Sequence, residues 1–280
     1  MADDEATSYS LPPYRVRARN TSATSDNKIH DDETAARYGF RGGLVPGVTV
    51  YAYMTAPLVA QFSDAWLERG SMQVKFHQPF YEGEEVIVRA EVDAESDPIK
   101  VAVRAERGDG TACATGLATI DDRSEWLGRP LIDDYPARPL PPLEARPQAS
   151  RESVLKGRPL GTLTEKLDLA DSTMLRRIDE SLPVYFGEGA VAHPALLLGL
   201  ANQVLMRNFD LGPWIHTASD LINWSAARHG EEISVRGRVA DAFERKGHEF
   251  VRLDLLLVAN ATRVVQQVRH TAIYRISHRV

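Results

Sequence analysis

Two stretches of the chain alternate apolar and polar positions in the same way. Phe80-Tyr81-Glu82-Gly83-Glu84-Glu85 leads into a run that places Val86, Val88, Ala90 and Val92 on one face. Ala227-Arg228-His229-Gly230-Glu231-Glu232 leads into one that does the same with Ile233, Val235, Gly237 and Val239. A period of two is the signature of a strand with one buried side. Gly83 and Gly230 stand 147 positions apart. The same spacing pairs Val45-Pro46-Gly47 with Ala192-His193-Pro194, each a turn opening an apolar, helix-like run. It also pairs Tyr14-Arg15-Val16-Arg17-Ala18 with Gly161-Thr162-Leu163-Thr164-Glu165. Three landmarks at one spacing indicate an internal duplication.

Each copy then reads as a short strand, a loop, a helix of about four or five turns and a set of alternating strands. In the first copy the strands fall near Met72–Phe76, Glu85–Val92, Ile99–Arg107 and Ala112–Ile120. In the second they fall near Thr217–Asn223, Glu232–Ala240, Glu249–Leu257 and Arg263–Ile276. The run Val45–Leu58 is apolar nearly all round, as a helix buried on every side would be. Pro57 within it predicts a kink or an early end. Between the copies, Asp121–Ser150 carries six prolines, Pro130, Pro136, Pro139, Pro141, Pro142 and Pro147, and reads as an extended connector. The expected organisation is an N-terminal domain over residues 1–120, a Pro-rich linker over 121–150 and a C-terminal domain over 151–280. A helix wrapped by a curved antiparallel sheet, present twice, makes the fold class α+β.

Composition narrows the function. A net charge of −6 argues against nucleic acid as a partner, because phosphate binding needs a basic surface. The single cysteine, Cys113, has no internal partner for a disulfide, which fits a reducing cytoplasm. The acidic start Met1-Ala2-Asp3-Asp4-Glu5 has no apolar region of a signal peptide, and no apolar run reaches the length of a membrane span. No Cys/His spacing suggests a metal, and no phosphate loop or nucleophile elbow is present, so no cofactor is called for.

The chemistry-bearing stretch is Asn27-Lys28-Ile29-His30, followed by Ala36, Gly39-Phe40 and the turn Gly42-Gly43-Leu44-Val45-Pro46-Gly47. An imidazole suits general base work near neutral pH. The free N–H groups at the start of the helix that follows can hold a carbonyl oxygen. This pattern resembles the hot-dog-fold (R)-specific enoyl-CoA hydratases, the MaoC-like dehydratases. Asn27 and His30 match that family's asparagine and histidine, and Gly47 matches the glycine at its helix start. There are three departures: Ser25 at the catalytic aspartate, Lys28 at a proline and Pro46 at a histidine.

The resemblance implies a double hot-dog acting on acyl-CoA or acyl-carrier thioesters. It implies His30, Asn27 and Asp26 as catalytic residues, Asp26 standing one position late for the absent aspartate. Gly47 and Val48 are the expected substrate contacts. Asp31 or Asp32 is expected to cap the short helix Glu33–Tyr38. The positions 147 residues after Asn27 and His30 are Met174 and Arg177, so only the first copy carries the pair. His193 is expected to be structural, and Trp214-Ile215-His216 to begin a strand of the core or its rim. Three readings stay open: hydratase or dehydratase, thioesterase, and non-catalytic acyl-binding or scaffold protein. Hot-dog domains usually continue their sheet across pairs, which leaves room for a homodimer of double hot-dogs.

Overall fold

The computed structural model describes residues 8–121 and 128–277. The acidic start and residues 122–127 of the connector lie outside the described residues. The first half contributes β1 (Ser8–Ser10), β2 (Tyr14–Arg17), α1 (Asp32–Arg37), α2 (Gly47–Arg69), β3 (Gly70–Phe76), β4 (Glu85–Asp93), β5 (Ile99–Arg107) and β6 (Ala112–Ile120). The second contributes β7 (Leu163–Lys166), α3 (Thr173–Arg177), α4 (Pro194–Asn208), β8 (Ile215–Asn223), β9 (Glu232–Arg245), β10 (His248–Ala259) and β11 (Arg263–Arg275).

All strands join one 11-stranded sheet in the order β1-β4-β5-β6-β3-β8-β11-β10-β9-β7, with β2 also on β4. The pairings are antiparallel throughout. The halves meet where β3 pairs β8, with Gln73 opposite Asp220 at the middle of the register. The two central helices pack on each other and on their own strands. From Thr49 to Val59 every residue of α2 is buried, which explains why that run shows no polar face. Each such Val, Leu or Tyr contributes on the order of 1.5–3 kcal/mol by leaving water. This is the double hot-dog.

The helix does not break at Pro57. The one non-helical residue inside α2 is Ser63 (φ 47°, ψ −132°), beyond which the chain runs on to Arg69. The stretch of α2 before Ser63 matches α4 in extent. Pro57 is buried within the helix, held there by the packing around it.

The described part of the connector is extended but not free. Tyr135 is buried against Trp224, Leu256, Val258 and Val264, and its hydroxyl donates to Asp254 at 3.0 Å. Gln148 forms a parallel bridge with Asp210. The connector therefore straps the second half of the sheet.

Candidate active site

The segment before α2 is built to fix one imidazole. Asn27 starts a short 3-10 turn, Lys28–His30, and Asp31 caps α1 by accepting from Thr34 N–H at 2.9 Å. Asn20 Nδ2 donates to the carbonyl of His30 at 2.8 Å. A Cβ on Gly43 would fall 2.1 Å from that same carbonyl oxygen, so only glycine lets the loop pass so close. Leu44 N–H then bonds Ile29 O at 3.2 Å.

The imidazole of His30 is anchored through Nδ1. Nδ1 lies 2.7 Å from the Leu44 carbonyl, an acceptor, so Nδ1 carries the proton. Nε2 is then an unprotonated lone pair, with Asn27 Nδ2 at 3.4 Å. Burial lowers the pKa of His30 below its ordinary value of 6.5, against a smaller upward pull from Leu44. The ring is a neutral base at pH 7.

Asn27 is buried and mainly joins the two halves. Its Nδ2 donates to Trp214 O at 2.9 Å, and its Oδ1 accepts from Trp214 N–H at 3.2 Å. An amide side chain here imitates one rung of a strand ladder across the fold. Asp26 is exposed and is not among the residues lining the cavity.

His30 faces a cavity of about 360 Å³. Its walls include Pro46, Gly47 and Val50 from the start of α2, Phe76 and Phe80, and Asn202 of α4. Trp214, Ile215 and His216 close it from the second half. Among the described residues no Asp or Glu lines it. Gly47 is the first residue of α2, after Pro46 at the N-cap. Its N–H belongs to the first turn, where amides have no intrahelical acceptor and the helix dipole is positive. Val48 is half-buried against the main core, its side chain outside the cavity lining. Gly47 and His30 are thus brought together, whereas Asp26 and the Val48 side chain are not.

The sequence puts His216 in a strand of the core or its rim, which β8 is, and gives no sign of its place in the cavity wall. A Cβ on Gly47 would stand 2.9 Å from His216 Nδ1 and 3.2 Å from Phe76 Cε2, so the ring lies directly against the Gly47 α-carbon. No pattern in the sequence links these two positions.

The second half has no equivalent of His30. Arg177 is exposed on α3 and Met174 is half-buried. His193 caps α4, Nδ1 accepting from Ala195 N–H at 3.1 Å, while Nε2 meets Glu180 at 3.3 Å. Burial alone would raise Glu180, but hydrogen bonds from His193, Leu182 and Ser181 outweigh it and hold the carboxyl low. Among the described residues no group of three or more His, Cys, Asp or Glu is placed to hold a metal, and no helix is long and apolar enough to cross a membrane.

No family sequence model matches this chain, and no curated protein does. Solved structures do match over nearly its full length. A protein of Chloroflexus aurantiacus described as a MaoC-domain dehydratase has a TM-score of 0.67 at 10% identity, covering 97% of this chain and 96% of that one. A Mycobacterium tuberculosis protein described as having a double hot-dog fold gives 0.63 at 13%, with 96% of each chain covered. A protein of Lactobacillus plantarum described as an oleoyl thioesterase gives 0.55 at 10%, covering 98% and 99%. The chain shares the double hot-dog fold with MaoC-like dehydratases and with thioesterases. At these identities the likeness is one of fold, and function rests on the site.

Proposed function

We propose that this protein is an enzyme of acyl thioesters, and that it hydrates trans-2-enoyl-CoA or enoyl-carrier thioesters, or dehydrates the 3-hydroxy products. The observation that carries the reading is His30. It is a neutral imidazole whose Nδ1–H is committed to Leu44 and whose Nε2 lone pair takes only a long contact of 3.4 Å from Asn27 Nδ2, in one cavity with the first turn of α2. The thioester oxygen accepts from the Gly47 N–H, which draws electrons from the double bond. His30 Nε2 takes one proton from water, and the hydroxide adds at C3 to give an enolate. The imidazolium returns that proton to C2. One base serves both steps, which suits a cavity whose described lining holds no carboxylate. Asn27 keeps the turn carrying His30 in place.

Hydrolysis of the thioester is the second reading, because a lone base in a described lining without carboxylates is equally able to direct water at a carbonyl carbon. His30 would direct water at the carbonyl carbon, and the departing thiolate would leave with its proton. Incubation with crotonyl-CoA and longer trans-2-enoyl-CoAs separates the two. Loss of enoyl-thioester absorbance without free thiol is the expected result, whereas thiol release moves the assignment to a thioesterase. His30→Ala should lower the rate by roughly 10²–10⁴-fold with folding intact. A fully active variant would falsify the role of His30.

A further inference from the structure

Nδ1 of His216 has no hydrogen-bond partner of good geometry, although the Ala218 backbone lies close enough to act on the ring. The residue is 6% exposed and lies in β8, and its Nδ1 is buried. Its other nitrogen is well served. Nε2 lies 2.8 Å from Ser219 Oγ, and Ser219 Oγ lies 3.2 Å from Nδ1 of His270, which is fully buried. The far nitrogen of that chain, His270 Nε2, is also buried and without a partner.

Two proton arrangements satisfy this chain. In the first, His270 Nδ1–H donates to Ser219, and Ser219 O–H donates to His216 Nε2. His216 then carries its proton on Nδ1, and His270 Nε2 is a bare lone pair. In the second, every donor reverses, which leaves an N–H on His270 Nε2. His270 does not line the cavity, so no ligand there reaches it. Each arrangement leaves one N–H and one lone pair without a protein partner, and a buried N–H is costly unless something accepts from it. Only the first puts that N–H on a residue of the cavity wall, so a carbonyl oxygen bound in the cavity selects the first arrangement.

Burial, then the neighbouring His270, push the pKa of His216 well below its ordinary value, while the Ala218 backbone pulls the other way. The ring stays neutral and donates a hydrogen bond without giving up its proton. Nδ1 stands against the α-carbon of Gly47, beside the first amide of α2.

We infer that His216 Nδ1–H and the Gly47 N–H together hold the carbonyl oxygen of the acyl thioester, with Ser219 and His270 fixing the tautomer that donates. This rests on the acyl-thioester reading above and adds a catalytic residue from the second half. The site is composite: His30 and Gly47 come from one copy and His216 from the other. It also accounts for glycine at position 47, since a side chain there would push the donor away.

A ketone analogue of butyryl-CoA, with methylene replacing the thioester sulfur and ¹³C at the carbonyl, can be neither hydrated nor hydrolysed. Its ¹³C resonance reports how strongly the bound oxygen is polarised. Bound to the unaltered protein it should move downfield of the free ligand. His216→Ala should lose most of that displacement, and kcat/KM should fall roughly 10²-fold. His216→Asn, whose amide nitrogen overlays Nδ1, should restore part of both. Ser219→Ala, a smaller change that releases the tautomer, should weaken the displacement while thermal unfolding stays close to that of the parent. A folded His216→Ala or Ser219→Ala variant whose bound carbonyl matches the parent's would overturn the inference and leave the acyl-thioester reading standing. Failure of the unaltered protein to bind the ketone would overturn both.

Discussion

At the scale of single residues, the imidazoles of this protein differ in what their second nitrogen does. His30 spends Nδ1 on Leu44 and keeps Nε2 as a base, whereas His216 spends Nε2 on Ser219 and presents Nδ1. His30 was legible in the sequence because Asn27, Gly39-Phe40 and Gly47 surround it at a recognisable spacing. His216 was not, because a lone histidine in an alternating strand has the same pattern as a packed core position. Its neighbour Gly47 comes from the other half of the chain. The buried histidines also set the response to acid. His270 is pushed by burial from 6.5 to about 3. Below about pH 6.5 the unfolded chain binds a proton at this ring and the folded protein does not, so stability is full above that pH and declines as pH falls through the window. Replacing His270 with Leu should flatten the decline between pH 6.5 and 5 by roughly 1 kcal/mol per pH unit. Urea unfolding at pH 7.5, 6 and 5 measures this, and an unchanged slope would mean the ring is not held neutral.

Among the elements, the duplication in the pattern proved the most informative signal. The central helices begin at Gly47 and Pro194, and strands β4 and β9 begin at Glu85 and Glu232, all at the spacing read from Gly83 and Gly230. Three features escaped. β1 is three exposed residues with no apolar alternation. β9 runs on to Arg245 because its ladder with β10 continues after its inner face turns polar. The break in α2 falls at Ser63 rather than Pro57, since burial around Pro57 outweighs its missing N–H. The contact between the loop of the first half and the start of β8 was invisible too, because Asn27 read as a catalytic amide. Asn27→Ala would strip partners from both the N–H and the C=O of Trp214. A loss of about 2 kcal/mol in denaturant unfolding is expected, together with faster hydrogen exchange at the Trp214 amide. If neither moves, the amide does not join the halves.

For the whole molecule, one sheet runs without interruption through β3 and β8, α2 packs on α4, and the connector is strapped across the second half. Such a body should unfold in one step although its sequence is a tandem repeat. Calorimetric and van't Hoff enthalpies should agree, and two resolved transitions would show that the halves are independent. The double hot-dog was readable because repeat spacing and strand period survive divergence. The composite cavity was not, since it depends on which residues of two distant segments face each other. Covalent linkage has a further consequence for how such a site can change. In an assembly of two identical chains, one codon change appears at both ends of the molecule. Here the position 147 residues before His216 is Arg69, so the two ends already differ. Joining the copies in one polypeptide frees each end to accept mutations that the other would not tolerate, and one end can be specialised while its twin serves as framework.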